Sequence, residues 1–447
     1  MPLSIIEYLE RGPSTSKEIQ AATGLSQTTI ARKIRKMEDR IIAIPEGRTV
    51  KYAAMRNAFN SGNNFPLSII DEVGKPHLIA HIRPLIHGGF FVELIKDISF
   101  LLLGESRIGL YEDLPYFLYD LRPQGFLGRQ VAKRIASQCD DFPSDPRNWN
   151  SNHIGRYLIS NGDDLPGNLI FGDRGLIGAG PQFLLATEED YPDLAQKAIE
   201  GEIVGSSAGG EQTKFTAFNE NSECHVIVKF SPKDNNEIAT RWRDILITEY
   251  HAAVVINARI FSAAIPGLID INGQLFLESQ RFDRIGALGR RSMISLQTID
   301  SEFTGLGGNW PKVMKDLLKK NLVSSEDSLH AESLWWFGRL INNSDMHLGN
   351  LSLSINKDIF RLLPIYDMCS MGFAPKISGE VPPFSFGLPD LNSISLTEDQ
   401  REIVIEAAYE FWENVSMDSK ISDQFRAYLQ EGNPVKPLVS NTNTRLR

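Results

Sequence analysis

One segment near the C-terminus constrains the fold most, because it joins a polar loop to an alternating hairpin. The loop, residues 343–350, reads Asn-Ser-Asp-Met-His-Leu-Gly-Asn. Residues 351–355 then alternate between apolar and hydroxyl side chains, 356–358 are turn formers, and 359–365 are mostly apolar. The pattern predicts two antiparallel strands, with the polar loop entering the first strand and Asp367 leaving the second.

This arrangement fits the requirements of phosphoryl transfer. The reaction needs a carboxylate for the attacking hydroxyl, and a second carboxylate with a neutral oxygen ligand to hold magnesium against the phosphates. Protein kinases place the first Asp five positions before an Asn and the second Asp after a strand. Asp345 and Asn350 have that offset, and Asp367 follows the apolar strand. An Asp/Asn pair in a loop is more often structural, but His347 and the hairpin favour the catalytic interpretation.

The motif Asn-x-Asp-x-His-x-x-Asn, followed by a hydrophobic-Tyr-Asp segment, resembles the catalytic and metal-binding motifs of HipA-type serine/threonine kinase toxins. The resemblance spans about residues 68–431 and is most specific at 343–367. The roles it implies are catalytic base for Asp345, magnesium ligand for Asn350 and Asp367, and ATP-site residue for His347 and Tyr366. His347 either lies against phosphate or supports the loop.

A segment of small residues, 205–214, resembles the Ser-x-Ala-Gly-x-Gln-Glu-Lys loop of the same family. Glycines allow backbone N–H groups to approach phosphate oxygens closely. The order departs from the family pattern, since Glu211 and Gln212 are inverted and Lys214 comes one place late. The resemblance implies ATP contacts for Ser207, Ala208, Gly209 and Gly210, and autophosphorylation for Ser206.

A lysine interrupts the apolar run 225–230. Because a buried lysine is costly unless it is paired, Lys229 is predicted to bind nucleotide phosphates, as the family's strand lysine does, with Glu249 as its candidate partner. The alternative is an edge strand with Lys229 directed to solvent. Residues 275–284 resemble the family's Glu-Arg-Phe-Asp-Arg hinge, with two residues inserted. This adds Glu278, Gln280 and Phe282 as adenine-site candidates, although Phe282 fits an ordinary core equally well.

The first 60 residues form a block of their own, with ten Lys/Arg against six Asp/Glu in a chain of net charge −10. Apolar spacing predicts a first helix, a short helix ending at Gly24, a longer one from Ser26 to about Asp39, and a hairpin around 45–48. The block resembles the winged helix-turn-helix modules of bacterial regulators; the alternative is a small packing domain with a charged face. The residues predicted to contact DNA are Gln27, Thr28, Thr29, Arg32, Lys33, Lys36, Arg48 and Lys51.

The expected fold class is α+β: a two-lobed, protein-kinase-like HipA fold, with a β-rich N-terminal lobe and a mainly helical C-terminal lobe, after a small winged helix-turn-helix. The predicted domains are 1–60, 65–200 (the HipA N-terminal subdomain), 201–432 (the kinase region) and a flexible tail, 433–447. Residues 61–64 are predicted to be a linker. Two short motifs, 121–125 and 162–169, also resemble the family's N-terminal subdomain. Three separated cysteines and the lack of an 18-residue apolar run favour a cytoplasmic protein without a membrane segment.

The resulting functional expectation is an ATP- and Mg²⁺-dependent protein kinase that inhibits growth and binds DNA through residues 1–60. The resemblance implies a substrate in the translation machinery and a HipB-like antitoxin as partner; the sequence indicates no oligomeric state. Three alternatives remain open. They are a DNA-binding transcription regulator with a nucleotide-sensing or inactive kinase-like body, a metal-dependent nuclease, and a small-molecule phosphotransferase.

Overall fold

The computed structural model of the chain describes residues 3–96, 98–161, 164–173, 183–201, 212–376, 378–390 and 395–439. They form three parts: an N-terminal module (3–54), a middle domain (55–173) and a C-terminal domain (183–439). Each part combines helices with a sheet, so the α+β class is confirmed. None of the described helices is both long and apolar enough to cross a membrane.

The N-terminal module consists of three short helices and a small antiparallel sheet of three strands. The elements are α1 (Ile5–Leu9), β1 (Ser14–Thr15), α2 (Ser16–Thr23), α3 (Gln27–Arg35), β2 (Ile41–Glu46) and β3 (Thr49–Ala54), with strand order β1-β3-β2. Ser26 caps α3 by accepting the N–H of Thr29. Gly24 ends α2 with a φ of 71° in the left-handed region. The helix expected to reach Asp39 ends at Arg35, so Lys36 is its C-cap.

The module joins the middle domain without a free linker. The segment 61–64 lies between packed residues, because the rings of Phe59 and Phe65 are 5.1 Å apart in the middle-domain core. Met55 continues β3 by forming a β-bridge with Leu85. A small apolar core spans the junction and contains Ile42, Ile44, Ala53, Met55, Leu85 and Phe91.

The middle domain is a five-stranded antiparallel sheet covered by helices. Its strands are β4 (Phe65–Ile70), β5 (Pro76–Pro84), β6 (Phe90–Leu94), β7 (Leu110–Tyr111) and β8 (Leu169–Phe171), in the order β7-β6-β5-β4-β8. Its helices are α4 (Tyr116–Tyr119), α5 (Gly125–Ala136) and α6 (Ser151–Asn161). The core is rich in aromatic side chains, among them Phe59, Phe65, Phe90, Phe117 and Phe171.

The C-terminal domain begins with a second five-stranded sheet. Its strands are β9 (Leu185–Ala186), β10 (Lys214–Asn219), β11 (Cys224–Phe230), β12 (Gly267–Ile271) and β13 (Gln274–Gln280), in the order β12-β13-β11-β10-β9. Helix α7 (Tyr191–Glu200) packs on one face of this sheet and α8 (Glu237–Arg259) on the other. Residues 185–200 were predicted to belong to the 65–200 domain, but they pack with the predicted kinase region, because Tyr191 and Ala198 are buried against Phe215.

The rest of the C-terminal domain is mainly helical. Its helices are α9 (Leu296–Phe303), α10 (Trp310–Lys319), α11 (Ser325–Leu340), α12 (Glu398–Met417) and α13 (Asp423–Leu429). Its strands are β14 (Arg284–Ile285) paired with β15 (Gly289–Arg290), and a sheet of β16 (Ile294–Ser295), β17 (Ser352–Asn356) and β18 (Ile359–Leu362) in that order. β17 and β18 form the expected hairpin, with Leu353 opposite Leu362. The described part of the expected tail is packed, since Val435 is fully buried.

Candidate active site

A pocket lies between the sheet of the C-terminal domain and its helical part. The residues that line it from the sheet and α8 are Lys214, Ile227, Lys229, Ser279, Gln280, Phe282, Glu249 and Ala253. The opposite side consists of Gln297, Gly349, Asn350, Ser352, Ile365, Tyr366, Asp367 and Met368. The hairpin and the sheet lysine that sequence singled out therefore meet in one place.

Lys229 joins two carboxylates inside the pocket. Its Nζ is 2.6 Å from Oε2 of Glu249 and 2.7 Å from Oδ1 of Asp367, and the Lys229 and Glu249 side chains are 7% exposed. Burial lowers the pKa of Lys229, but Asp367 and Glu249 outweigh it and hold the pKa well above its ordinary value. Burial raises the pKa of Asp367, but Lys229 and Lys214 lower it by more, so the pKa lies below its ordinary value. Asp367 is thus held ionised.

A second lysine, Lys214, stands directly opposite Lys229 on the neighbouring strand. Cross-strand partners share a face of the sheet, and both lysines are buried and line the pocket. Sequence reasoning noted Lys214 only as a displaced loop residue. Its position one strand away from Lys229, in register, is a signal that could have identified it. Two neighbouring lysines on this wall can each pair with a phosphate oxygen, although Lys229 is also paired with Glu249 and Asp367.

The loop after α11 is held by its two asparagines. Oδ1 of Asn343 accepts the N–H of Asp345 at 3.0 Å, and its Nδ2 contacts Sδ of Met368 at 3.3 Å. Nδ2 of Asn350 donates to the carbonyl of Asp345 at 2.7 Å. This bond uses the nitrogen of the Asn350 amide and does not use its oxygen, Oδ1. Asp345 itself is exposed beside Asn350. The structure therefore brings Asp345 and Asn350 into direct contact.

Asp367 leaves the hairpin with a φ of 55°, in the left-handed region that Asp tolerates better than most residues. The preceding Tyr366 is anchored to the loop, because its hydroxyl lies 2.7 Å from Oγ of Ser352 and donates to the carbonyl of Gly349 at 3.2 Å. Burial raises the pKa of Tyr366, so the ring stays neutral. These contacts place the carboxylate of Asp367 on the same pocket as Asn350.

The other end of the pocket is aromatic. The rings of Phe282 and Tyr366 are 5.7 Å apart and both line the pocket, as does Gln280. Glu278 does not: its carboxylate accepts from Tyr191 and, at 2.9 Å, from Nδ2 of Asn219, on the sheet face covered by α7. Glu278 is thus a half-buried structural acceptor, and its side chain lies on the sheet face away from the pocket.

His347 supports the loop. Its Nδ1 accepts the N–H of Gly349 at 3.0 Å, and its carbonyl accepts from Nε1 of Trp310 at 2.9 Å. Of the glycine-rich segment, Ser206, Ser207, Ala208, Gly209 and Gly210 lie outside the described residues. Pocket residues that sequence reasoning missed are Gln297, Asp120, Gln124, Pro166, Arg281 and Asp283.

The predicted DNA-contacting residues lie on α3, at its C-cap and on the β2–β3 hairpin. Gln27, Thr28, Arg32, Lys33, Lys36 and Arg48 are exposed. Thr29 is half-buried and lies 2.9 Å from the capping hydroxyl of Ser26. Lys51 is paired with Glu46 at 2.6 Å across the β2–β3 hairpin. The α3 surface is therefore the more accessible part of this set.

The residues of the pocket fit a magnesium ion that is bound together with phosphates. No cluster of three or more His, Cys, Asp or Glu side chains with metal-binding geometry occurs in the part of the chain that the structure describes. Asp367 and Asn350 both line the pocket, and their side-chain oxygens would be the ligands. Magnesium typically takes one or two protein ligands and completes its shell with water and substrate phosphate oxygens, so this donor set suits it.

Similarity to known proteins agrees with this geometry. Residues 206–427 match the HipA-like C-terminal domain family, and 61–177 match the middle domain of YjjJ-like toxins. A Shewanella oneidensis MR-1 HipA structure, in complex with HipB and its operator DNA, covers 82% of this chain and 94% of its own with a TM-score of 0.55 and 13% identity. A Helicobacter pylori proinflammatory kinase, CtkA, covers 50% and 88% with a TM-score of 0.33 and 13% identity. The family match and the HipA structure show that the fold is HipA-like.

The particular branch follows from a longer match. The toxin YjjJ of Escherichia coli (strain K12) is 34% identical over 437 residues, which is 96% of each chain. This chain belongs to the YjjJ toxin family. The HipA-type resemblance of the sequence motifs is thereby confirmed.

Proposed function

We propose that this protein is a toxin that acts as an ATP- and magnesium-dependent serine/threonine protein kinase. The observation that carries the proposal is the ion network in which Lys229 joins Glu249 and Asp367 inside the pocket. In protein kinases, a strand lysine paired with a helix glutamate positions the ATP phosphates, and an Asp after a strand holds magnesium. The toxin role rests on membership of the YjjJ family.

The side chains have separable roles in this reaction. Lys214 and Lys229 attract the phosphates, and Asp367 and Asn350 hold Mg²⁺, which when bound neutralises phosphate charge. Asp345 accepts the proton of a serine or threonine hydroxyl as its oxygen bonds to the γ-phosphorus and the bond to ADP breaks. Because Asp345 is exposed, a protein segment can reach it. A target in translation, a HipB-like antitoxin and autophosphorylation of Ser206 remain predictions from the family resemblance.

Transfer of labelled γ-phosphate to protein, compared between wild type and Asp345→Asn, tests the proposal. We expect a loss of about 10²–10⁴-fold, typical for removal of a general base, with ATP binding retained. Asp358→Asn, at the far turn of the same hairpin, is the matched control and should transfer normally. ATP binding without transfer by the wild type would favour the nucleotide-sensing regulator. Plasmid nicking that depends on Asp345 would favour the nuclease.

We further propose that the N-terminal module is a winged helix-turn-helix that binds DNA. Helices α2 and α3 are joined by a short turn at Gly24 and followed by the β2–β3 hairpin, the element order that such modules use. The exposed side chains of Arg32, Lys33 and Lys36 supply positive charge on a chain that is acidic as a whole. Phosphate contacts of this kind fix position and give salt-dependent affinity.

Mobility-shift titration of the full chain with fragments of its own genome tests this second proposal. The double variant Arg32→Ala/Lys33→Ala should bind more weakly and with a shallower salt dependence, because about two phosphate contacts are lost. Wild-type-like binding by this variant would contradict the assignment of α3. Kinase activity of the variant should be unchanged, since α3 lies in the module and the pocket lies in the C-terminal domain.

A further inference from the structure

The middle domain forms one wall of the pocket. Its two short motifs, 121–125 and 162–169, have no role in the reaction described above, yet each has a residue at the pocket. Gln124 lines it at the start of α5, and Pro166 lines it from the loop before β8. Asp120 lines it beside them.

A buried ion network fastens this wall to the C-terminal domain. Oδ1 of Asp164 accepts from Nη1 of Arg281 at 3.1 Å and from Nη2 of Arg284 at 3.0 Å. Asp283 accepts from Nη2 of Arg281 at 2.9 Å, from Nη1 of Arg284 at 2.7 Å and from the N–H of Gly167 at 2.9 Å. Both arginine side chains are 3% exposed. The network therefore connects the loop of one domain to the end of β13 in the other.

The position of Phe282 depends on this network, because Phe282 lies between Arg281 and Asp283 in the chain. Charged hydrogen bonds fix direction as well as distance, so the network sets the rotation of this segment and the side to which the Phe282 ring points. The loop also fits tightly: Gly167 has a φ of 75°, and a Cβ there would lie 2.9 Å from the carbonyl oxygen of Met293. Phe282 and Pro166 are thereby held on the same pocket.

We propose that Asp164 is a positioning residue for the nucleotide. It acts through Arg281 and Arg284, which orient Phe282. It also holds Pro166 in place on the middle-domain side of the pocket, opposite Phe282. The middle domain is then part of the nucleotide site. This inference rests on the proposed binding of ATP, and it assigns the apolar, aromatic end of the pocket to the base.

Asp164→Asn in the full chain tests the inference. We expect the Kd and KM for ATP with Mg²⁺ to rise on the order of tenfold, a typical effect of a residue that acts through others, while kcat changes much less. Glu332→Gln is the matched control: the Glu332 side chain is 7% exposed, its Oε2 lies 2.9 Å from Nζ of Lys315, and this pair joins α11 to α10 outside the pocket. It should lower the Tm without changing KM.

A second variant keeps the test independent of folding. Pro166→Ala leaves the network in place and removes only wall, so it should raise KM for ATP with a wild-type Tm. Partial recovery of ATP affinity in Asp164→Glu would support positioning by charge. Wild-type affinity in both Asp164→Asn and Pro166→Ala, or an equal loss in Glu332→Gln, overturns this inference alone. Absence of ATP binding by the wild type overturns the proposed kinase function as well.

Discussion

The substitution Lys229→Met leaves the buried carboxylate of Glu249 and the 26% exposed carboxylate of Asp367 beside each other without the ammonium that joins them. At 2.7 Å and an effective dielectric constant of about 20, one such contact corresponds to about 6 kcal/mol of attraction. Desolvation offsets part of this, and removing one partner of a buried ion pair costs about 3–5 kcal/mol. We expect the free energy of unfolding to fall by this amount near neutral pH, towards the lower end because Lys214 remains nearby.

The loss should depend on pH with a definite sign. Burial already raises the pKa of Glu249 above 4.5, and Lys229 opposes that rise, so removing Lys229 raises the pKa further. A carboxylate with a raised folded-state pKa gives stability that is present at low pH and lost as the pH rises through that pKa. In the wild type, the lowered pKa of Asp367 gives stability that is present near neutral pH and is lost as the pH falls. The difference in unfolding free energy between the two proteins should therefore shrink as the pH falls.

Urea denaturation followed by tryptophan fluorescence, at several pH values, measures this difference. Lys51→Met is the matched control, because Lys51 pairs with Glu46 at the surface, where the two side chains are 37% and 38% exposed. It should cost no more than about 1 kcal/mol at any pH. If Lys229→Met were as mild as this control, or if its cost did not depend on pH, the charge network would not stabilise the fold as argued.

Two further substitutions have distinct expected outcomes. Burial raises the pKa of Asp244 from 3.8 to about 6, which makes its ionised form destabilising by roughly 3 kcal/mol above that pH. In denaturation curves, Asp244→Asn should therefore gain stability relative to wild type as the pH rises from about 4 to 7. A difference that stays constant over this range would contradict the argument. In Gly338→Ala, the new Cβ would lie 2.2 Å from Sδ of Met346 and 3.0 Å from Sδ of Met368. Displacement of the loop and of the Asp367 segment should reduce kcat by up to about a hundredfold. The Tm should fall as well, because overpacking a buried site costs about 1–3 kcal/mol; an unchanged kcat would refute the reasoning.

The hairpin and its polar loop could be predicted because they depend on local pattern. Alternation predicted β17, the apolar run after it predicted β18, and turn formers predicted the bend between them. The five-residue offset of Asp345 and Asn350 identified the loop. The Lys229–Glu249 pair was also accessible, because a lysine in an apolar strand requires a buried partner. In both cases the information is local. The hairpin is encoded by neighbouring residues, and the ion pair is indicated by one charged residue in an apolar strand.

Glu278 shows where local pattern is insufficient. Along β13, Leu277 and Ser279 point to one face, and Phe276 and Glu278 point to the other. Which face meets the pocket is decided by α7, whose Tyr191 donates to Glu278 from 87 residues away. The middle-domain wall has the same origin, since Asp164, which joins this wall to Arg281 and Arg284, is more than 100 residues distant from them. Contacts between residues so far apart produce no repeating pattern in the sequence from which they could be predicted.

The late lysine of segment 205–214 is explained by strand register. Lys214 and Lys229 are Cα partners in adjacent strands, and a shift of one residue along β10 would turn Lys214 to the face covered by α7. Phe215, the next residue, does lie on that face, fully buried against Tyr191. An additional residue before β10 therefore changes the length of the loop and leaves the lysine in the pocket. The position of this lysine is better counted from the strand that holds it than from the glycines that precede it.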